Sequence, residues 1–186
     1  MATESAIYQF KVTLSDSKPP IWRRVLVRGD STLAELHQVL QAVMGWWDYH
    51  LHQFIVGQTY YGVPHPDYFD YVDMNDEQQF TLNDIVFDEG FKFVYEYDFG
   101  DSWEHLLLVE KILSPEPGQH YPTCIKGRRA CPPEDVGGTW GYSAFLQAIQ
   151  NPDHPEHEEY LEWVGGEFDP KAFDLDAVNA TLQKLG

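Results

Sequence analysis

Two aspartates and a histidine close together in the chain have the residue types of a catalytic or metal-binding site. Asp98 and Asp101 belong to the motif DFGD, and His105 follows in the next segment. Carboxylates beside an imidazole suit general-base catalysis or the binding of a metal ion. Two turn aspartates and a partly buried histidine would give the same pattern, so a structural role stays open. A protein kinase is excluded, because the chain lacks the glycine-rich phosphate loop and the HRD-type loop.

Two cysteines and two histidines offer a second set of potential ligands, suited to a Cys2His2 zinc site. They are Cys124, Cys131, His154 and His157. Residues 125–130 separate the cysteines, whereas zinc knuckles separate them by about 2–4 residues. Such a site also requires that the fold bring two distant segments together. We therefore expect no metal ligands here and no cofactor, and we keep the Cys2His2 site as an alternative.

The stretch CIKGRRACPPEDVGG, residues 124–138, is predicted to be a rigid loop before a helix. Prolines at 132–133 restrict the backbone, and glycines at 137–138 permit positive φ. Glu134 and Asp135 are held between these two rigid steps, and we expect them to face a functional cleft. Their expected hydrogen-bond donors are backbone amides, Arg128 and Arg129.

Hydrophobic periodicity predicts a sheet followed by short helices. Period-two alternation predicts strands at 7–14, 21–28, 50–61, 91–99 and 103–112. Thr32 and Glu35 form a capping box that begins a helix, and Gly45 ends it. His37 lies beside the apolar stripe of that helix and is predicted to be packed and hydrogen-bonded. Three further short helices are predicted at about 143–150, from about 155 to 164, and near the C-terminal end.

The order of these elements predicts an α+β fold in one domain. A strand pair, a crossing helix and returning strands form a β-grasp-like, mixed and mainly antiparallel sheet, to which short C-terminal helices are added. With 186 residues the chain suits one full-sized domain. We expect its sheet part at about 7–112 and its loop and helical part at about 113–185.

Charge and composition exclude several classes of function. The net charge is −18, and such a surface repels phosphate backbones, so we expect no nucleic-acid partner. No apolar run approaches the ~20 residues of a membrane span, and no signal-peptide pattern is present. We therefore expect a cytoplasmic protein without a membrane partner. A P-loop, a dinucleotide fingerprint and an HExxH motif are also absent.

Several longer stretches carry a resemblance to a known family. They include PPIWRRVLV, YEYDFGDSWEHLLLVE, YPTCIKGRRACPPEDVGG and GYSAFLQAIQNPDHPEH, within a collinear match over about 8–182. In these motifs the chain resembles the plasmid pRiA4b ORF-3-like family. The resemblance implies an α+β domain of unestablished molecular function, which occurs on plasmids and in bacterial and archaeal genomes. Many members have a cysteine at the position of Val136, and its absence here weakens the metal hypothesis.

Some family members carry a label of insertion-element passenger protein or TnpR-type resolvase. This chain has no serine or tyrosine nucleophile set among clustered arginines, so its residues do not support that chemistry. We therefore predict a non-catalytic binding module that recognises a protein segment or small ligand through an aromatic and acidic cleft. The candidate cleft residues are Asp98, Asp101, Trp103, His105, Glu134, Asp135 and Trp140. The alternative is a metal-dependent hydrolase or nuclease of mobile elements that uses Asp98, Asp101 and His105, with His154 and His157.

Overall fold

The computed structural model describes residues 5–65 and 73–185. Its strands are β1 (Ile7–Leu14), β2 (Trp22–Arg28), β3 (His52–Val56), β4 (Thr59–Gly62), β5 (Met74–Asp76), β6 (Lys92–Tyr97), β7 (Trp103–Leu113) and β8 (Thr123–Arg128). Its helices are α1 (Leu33–Met44), α2 (Leu82–Ile85), α3 (Gly138–Gln150), α4 (His157–Trp163) and α5 (Leu175–Leu182), with a single 3-10 turn at Glu77–Gln79.

The strands form one eight-stranded sheet in the order β5-β4-β3-β6-β7-β1-β2-β8. Neighbouring strands are antiparallel throughout, except that β4 and β5 are parallel. α1 crosses one face: Arg23 of β2 contacts its last turn, and Tyr95 of β6 hydrogen-bonds to His37 and Gln41 in its middle. The predicted α+β class, with a mainly antiparallel sheet and a crossing helix, is confirmed.

α1 begins and ends at the predicted residues. The Thr32 hydroxyl accepts the amide proton of Glu35, and the Glu35 carboxylate accepts that of Thr32, which completes the capping box. Gly45 has φ of 84° and closes the helix by donating its amide proton to the Gln41 carbonyl. The apolar stripe of α1, including Leu33, is buried against the sheet.

The structure differs from the predicted elements at several points, including the short strand β5, which was not predicted. The expected strand at 50–61 is a hairpin, because Gly57 adopts φ of 62° and turns the chain between β3 and β4. A further strand, β8, lies in the segment that was predicted to be a loop, and it pairs with β2. Its flanking prolines hide the alternation of the short strand. α3 begins at Gly138 instead of 143, because the glycines of its first turn give no helix signal.

A buried guanidinium joins three parts of the fold. Arg23 donates from Nε to the Val43 carbonyl at 2.7 Å, and from Nη1 to the carbonyls of Trp22 at 2.9 Å and Arg128 at 3.0 Å. It also lies 4.3 Å from the ring centroid of Phe173. The last turn of α1, the edge strand β8 and the C-terminal segment are therefore held at one point.

Within the described ranges, no helix has the length and apolar character that a membrane span requires.

Candidate functional site

A cavity of about 450 Å³ lies between α1, β3 and the chain around β5. Its polar lining consists of His37, Asp48, His50, His52, His65 and Glu77, together with glutamines. Its apolar lining consists of Ala34, Leu51, Val63, Met74 and Phe99. Ligand pockets are typically ~300–1,000 Å³ with apolar walls and a few fixed polar groups. The cavity therefore has the size and composition of a site for a small ligand.

Two stacked histidines form the polar wall of this cavity. The rings of His37 and His52 lie 3.5 Å apart at an angle of 5°. Nε2 of His37 is 2.8 Å from Asp48 Oδ1, and Nε2 of His52 is 2.8 Å from Glu77 Oε2. Burial, followed by the charge of His52, lowers the pKa of His37 to about 4. His37 is therefore a neutral imidazole at neutral pH.

The tautomer of His37 follows from its neighbours. Gln41 donates to the Tyr95 hydroxyl at 2.9 Å, and that hydroxyl lies 2.8 Å from Nδ1 of His37. Among the described residues, Nδ1 of His37 is the acceptor within reach of the hydroxyl proton, so the Tyr95 hydroxyl donates to Nδ1. The remaining imidazole proton is then on Nε2, where it is donated to Asp48. Both ring nitrogens of His37 are therefore occupied, as the sequence predicted for a packed, hydrogen-bonded histidine.

Three loops meet beside the cavity at one end of the sheet. They are 46–51, 98–102 and 129–137. The amide of Trp47 donates to Glu134 Oε2 at 3.0 Å, and the Tyr97 hydroxyl donates to Glu134 Oε1 at 2.5 Å. The amide of Gly137 donates to Asp101 Oδ2 at 3.0 Å. Four of the predicted cleft residues are thereby brought together, namely Asp98, Asp101, Glu134 and Asp135.

The donors to Glu134 match the prediction in part. A backbone amide was among the expected donors and Trp47 supplies it, whereas the second donor is the Tyr97 hydroxyl instead of Arg128 or Arg129. Burial, followed by the hydrogen bond to Glu134, raises the pKa of Tyr97, so the phenol keeps its proton and remains a donor. The sequence pattern did not reveal the pairing of Tyr97 with Glu134, because the two residues are far apart in the chain and meet only in the folded structure.

His50, Asp98 and Asp135 form a group that we call the His50 cluster. Nε2 of His50 lies 2.8 Å from Asp135 Oδ1 and 3.6 Å from Asp98 Oδ2. The Nε2 atom is shielded from solvent and makes no hydrogen bond, because the nearby carboxylate oxygens lie off the direction in which it would donate. His50 also lines the cavity. The cluster therefore stands at the rim of the cavity.

The other predicted cleft residues lie elsewhere in the fold. Trp103 and His105 occupy the buried face of β7 and are 2% and 0% exposed, so they support the loops from below. Nδ1 of His105 is 3.3 Å from the Tyr95 carbonyl, and burial lowers the pKa of His105 to about 4. Trp140, in the first turn of α3, is 90% exposed and is free to contact a ligand.

Two groups of potential metal ligands occur in the part of the chain that the structure describes. They are His37, Asp48 and His52, and the His50 cluster; in each, one potential donor atom per residue lies within 4.8 Å of the others. Neither contains the set proposed for a zinc site, namely Cys124, Cys131, His154 and His157. Both cysteines are free thiols, and Nδ1 of His157 lies 2.9 Å from the Ala148 carbonyl.

The first group does not suit a metal ion in this arrangement. Imidazole ligands direct an in-plane lone pair at the metal, whereas the parallel rings of His37 and His52 direct theirs side by side. The nitrogens of His37 are occupied as well. Sequence reasoning did not include Asp48, His50 or Glu77 in the site. The repeated histidines of the HLH sequence at 50–52 were the available signal.

Comparison with known proteins extends over almost the whole chain. Residues 6–177 match the family model described as plasmid pRiA4b ORF-3-like protein. The uncharacterized protein y4hQ of Sinorhizobium fredii (strain NBRC 101917 / NGR234) is 38% identical over 183 residues, which are 97% of this chain and 93% of that protein. The crystal structure of MM3350, a protein of unknown function from Methanosarcina mazei Go1, has a TM-score of 0.84 and 36% identity. That match covers 94% of this chain and 98% of the other. The family match and these relatives confirm the resemblance seen in the sequence, and the chain belongs to the plasmid pRiA4b ORF-3-like family.

Proposed function

We propose that this protein is a non-catalytic binding module that takes a small ligand in the cavity beside α1. The observation that carries the proposal is the cavity itself, of about 450 Å³, with apolar walls and a polar wall of two fixed histidines. A preformed pocket of this kind binds a ligand with little ordering of its own side chains, which favours affinity.

The charges around the cavity define the class of ligand. Asp48 and Glu77 are the lining carboxylates, and no lysine or arginine is among the lining residues within 5–65 and 73–185. The neutral His37 adds no positive charge to the polar wall. A phosphate or carboxylate ligand would be repelled there, whereas an amine is attracted and donates hydrogen bonds to the carboxylates. We infer that the ligand is an amine with an apolar body.

Exposed aromatic residues on either side of a lining carboxylate support the same ligand class. Trp47 and Tyr49 flank Asp48 in the chain and are 75% and 73% exposed. Aromatic faces attract ammonium groups by about 0.5–1 kcal/mol at exposed sites, and a neighbouring carboxylate adds to this attraction. The aromatic and acidic cleft predicted from the sequence consists of other residues, and none of those seven is among the residues that line this cavity.

The hydrogen bonds of His37 favour binding over catalysis. A general base needs a free nitrogen and a pKa near the working pH. His37 has neither, because both nitrogens are engaged and its pKa is about 4. We assign the stacked histidines the role of a rigid wall.

Matched pairs of aromatic amines and acids test the proposed function. Phenethylamine and tryptamine are expected to raise the melting temperature, since a ligand that binds the folded state stabilises it. 3-Phenylpropionate and indole-3-propionate have comparable apolar bodies but the opposite charge, and we expect them to have no effect. Failure of both amines at millimolar concentration, or equal effects of the acids, would contradict the proposal.

A blocking variant localises the binding. Val63 is 54% exposed and lines the cavity, so Val63→Trp should fill its mouth without disturbing the core. Ile125 is 42% exposed on β8 and does not line the cavity, which makes Ile125→Trp the matched control. The first variant should lose the stabilisation by amines and the second should keep it. Retention of the amine effect in Val63→Trp would place binding elsewhere.

A further inference from the structure

We propose that the His50 cluster binds a divalent transition-metal ion at the rim of the cavity. The ligand atoms are Nε2 of His50, Oδ2 of Asp98 and Oδ1 of Asp135. This inference does not depend on the amine ligand, because it concerns different atoms and a different chemistry. It shares Asp98 with the metal site considered from the sequence, but it uses His50 and Asp135 in place of Asp101, His105, His154 and His157.

Two of the separations between the three ligand atoms match a coordination sphere. Metal–ligand bonds of about 2.0–2.2 Å place neighbouring ligand atoms about 2.8–3.6 Å apart, from octahedral to tetrahedral geometry. The distances from His50 Nε2 are 2.8 Å to Asp135 and 3.6 Å to Asp98. Small shifts of the side chains are therefore sufficient to admit an ion.

The proposed ligand atoms of His50 and Asp98 make no hydrogen bond within the described part of the chain. Nε2 of His50 is shielded from solvent and makes no hydrogen bond, although two carboxylate oxygens lie within 3.6 Å of it. Oδ1 of Asp98 accepts the amide protons of Gly100 at 3.0 Å and Asp101 at 3.3 Å, so Oδ2 is left to face His50. Hydrogen bonds to one oxygen of a carboxylate commonly orient its other oxygen toward a metal ion.

The backbone holds both aspartates in a disfavoured conformation. Asp98 has φ of 58° and Asp135 has φ of 61°, in the left-handed region. Residues with side chains rarely adopt such angles, and those that do cluster at ligand sites where the surroundings enforce them. Here the two loops that carry them are fixed by the amide of Gly137 on Asp101 and by the contacts of Glu134.

The donor set indicates the class of metal. One imidazole nitrogen with two carboxylate oxygens suits Zn²⁺, Fe²⁺ or Mn²⁺, whereas Mg²⁺ and Ca²⁺ prefer oxygen ligands alone. Three protein ligands leave coordination positions open. The Asp135 side chain is 64% exposed, so water or a small ligand can reach the ion.

Calorimetric titration of the chelator-treated, dialysed protein with Zn²⁺, Mn²⁺ and Mg²⁺ tests the site. We expect one equivalent of Zn²⁺ or Mn²⁺ to bind, and Mg²⁺ to bind at least tenfold more weakly. His50→Gln, Asp98→Asn and Asp135→Asn should each reduce the affinity at least tenfold. Asparagine tolerates the left-handed conformation, so both aspartate variants should stay folded, and circular dichroism without metal checks this.

Control variants and a paramagnetic probe locate the ion. His154→Gln and Asp153→Asn change the same residue types outside the cluster and should bind as the wild type does. Mn²⁺ should broaden the amide resonances of 98–101 and 135–137, and leave those of 111–113, at the far end of β7, much less affected. The proposal is overturned if neither Zn²⁺ nor Mn²⁺ binds up to about 1 mM. It is equally overturned if binding survives all three cluster variants, or is lost in His154→Gln or Cys131→Ser.

Discussion

Single residues at the site are held by hydrogen bonds that come from distant parts of the chain. Glu134 accepts from Tyr97 and Trp47, and His37 is fixed between Tyr95 and Asp48. These contacts fix the orientation of both side chains, of Glu134 as a hydrogen-bond acceptor and of His37 as part of the cavity wall. Two predictions follow from the groups that are buried most deeply.

The stability of the protein should fall as the pH is lowered from about 6.5 to about 4. Burial lowers the pKa of His105 to about 4, while the unfolded chain has the ordinary value of about 6.5. In this window the unfolded state binds the extra proton, so the free energy of unfolding decreases by on the order of 3 kcal/mol at His105. His37 contributes in the same direction.

Urea unfolding at a series of pH values measures this effect. His105→Gln should flatten the pH dependence between 6.5 and 4, because it removes one of the groups that gain a proton on unfolding. His120→Gln, at an exposed position, is the control and should leave the dependence unchanged. An unchanged slope in His105→Gln would show that the buried imidazole is not responsible.

Tyr97→Phe should loosen the loops beside the cavity. The hydroxyl donates to Glu134 at 2.5 Å and accepts the amide proton of Tyr49 at 3.0 Å, so both partners lose a hydrogen bond. We expect a loss of about 1–3 kcal/mol in the free energy of unfolding and faster hydrogen exchange at the Tyr49 amide. Tyr60→Phe is the control, since the Tyr60 hydroxyl makes no hydrogen bond to any residue within 5–65 and 73–185. Equal effects of the two substitutions would contradict this account.

At the level of elements, local sequence signals predicted α1 and most of the strands. The capping box of Thr32 and Glu35 fixed the start of α1, and the alternation of Phe93 and Tyr95 fixed β6. The hairpin at Gly57 and the strand β8 were missed, because a turn glycine inside an alternating run and a short strand between prolines give weak signals. Their positions are decided by pairing with β3 and β2.

Gly138→Ala should destabilise the protein more than Gly90→Ala. Both glycines have positive φ, of 67° and 84°, so each substitution strains the backbone by about 1–2 kcal/mol. A Cβ at position 138 would also lie 2.7 Å from the Asp101 carbonyl oxygen, whereas nothing lies within 4 Å of one at position 90. We expect at least about 1 kcal/mol of additional loss for Gly138→Ala in urea unfolding. Equal losses would mean that the contact with Asp101 is not tight.

For the whole molecule, we predict a single cooperative unit. β8 completes the edge of the sheet at β2, Arg23 binds the carbonyl of Arg128, and Leu182 is fully buried. A fragment of residues 1–113 would lose these contacts and expose apolar surface of β2, so we expect it to be unfolded. Circular dichroism and the dispersion of amide resonances measure this. A stable, folded fragment would contradict the prediction.

The candidate site was predictable only in part, and the reason lies in its construction. The acidic loop at 134–135 and the turn at 98–101 were found because their residue types cluster in the sequence. The stacking of His37 on His52 and the approach of His50 to Asp135 involve residues that are far apart in the chain. Trp103 and His105 were assigned to the cleft by their residue types, whereas the alternation of β7 buries both.

The central claim is that the cavity takes an amine with an apolar body. The most direct measurement is a titration of the isotopically labelled protein with phenethylamine, followed by amide chemical shifts. The account predicts saturable shifts centred on Leu51, Gln53 and Val63, which line the cavity, and none with 3-phenylpropionate. Shifts centred on the second cavity, near Tyr121 and Leu185, would contradict the claim, as would equal shifts with the acid or none with the amine.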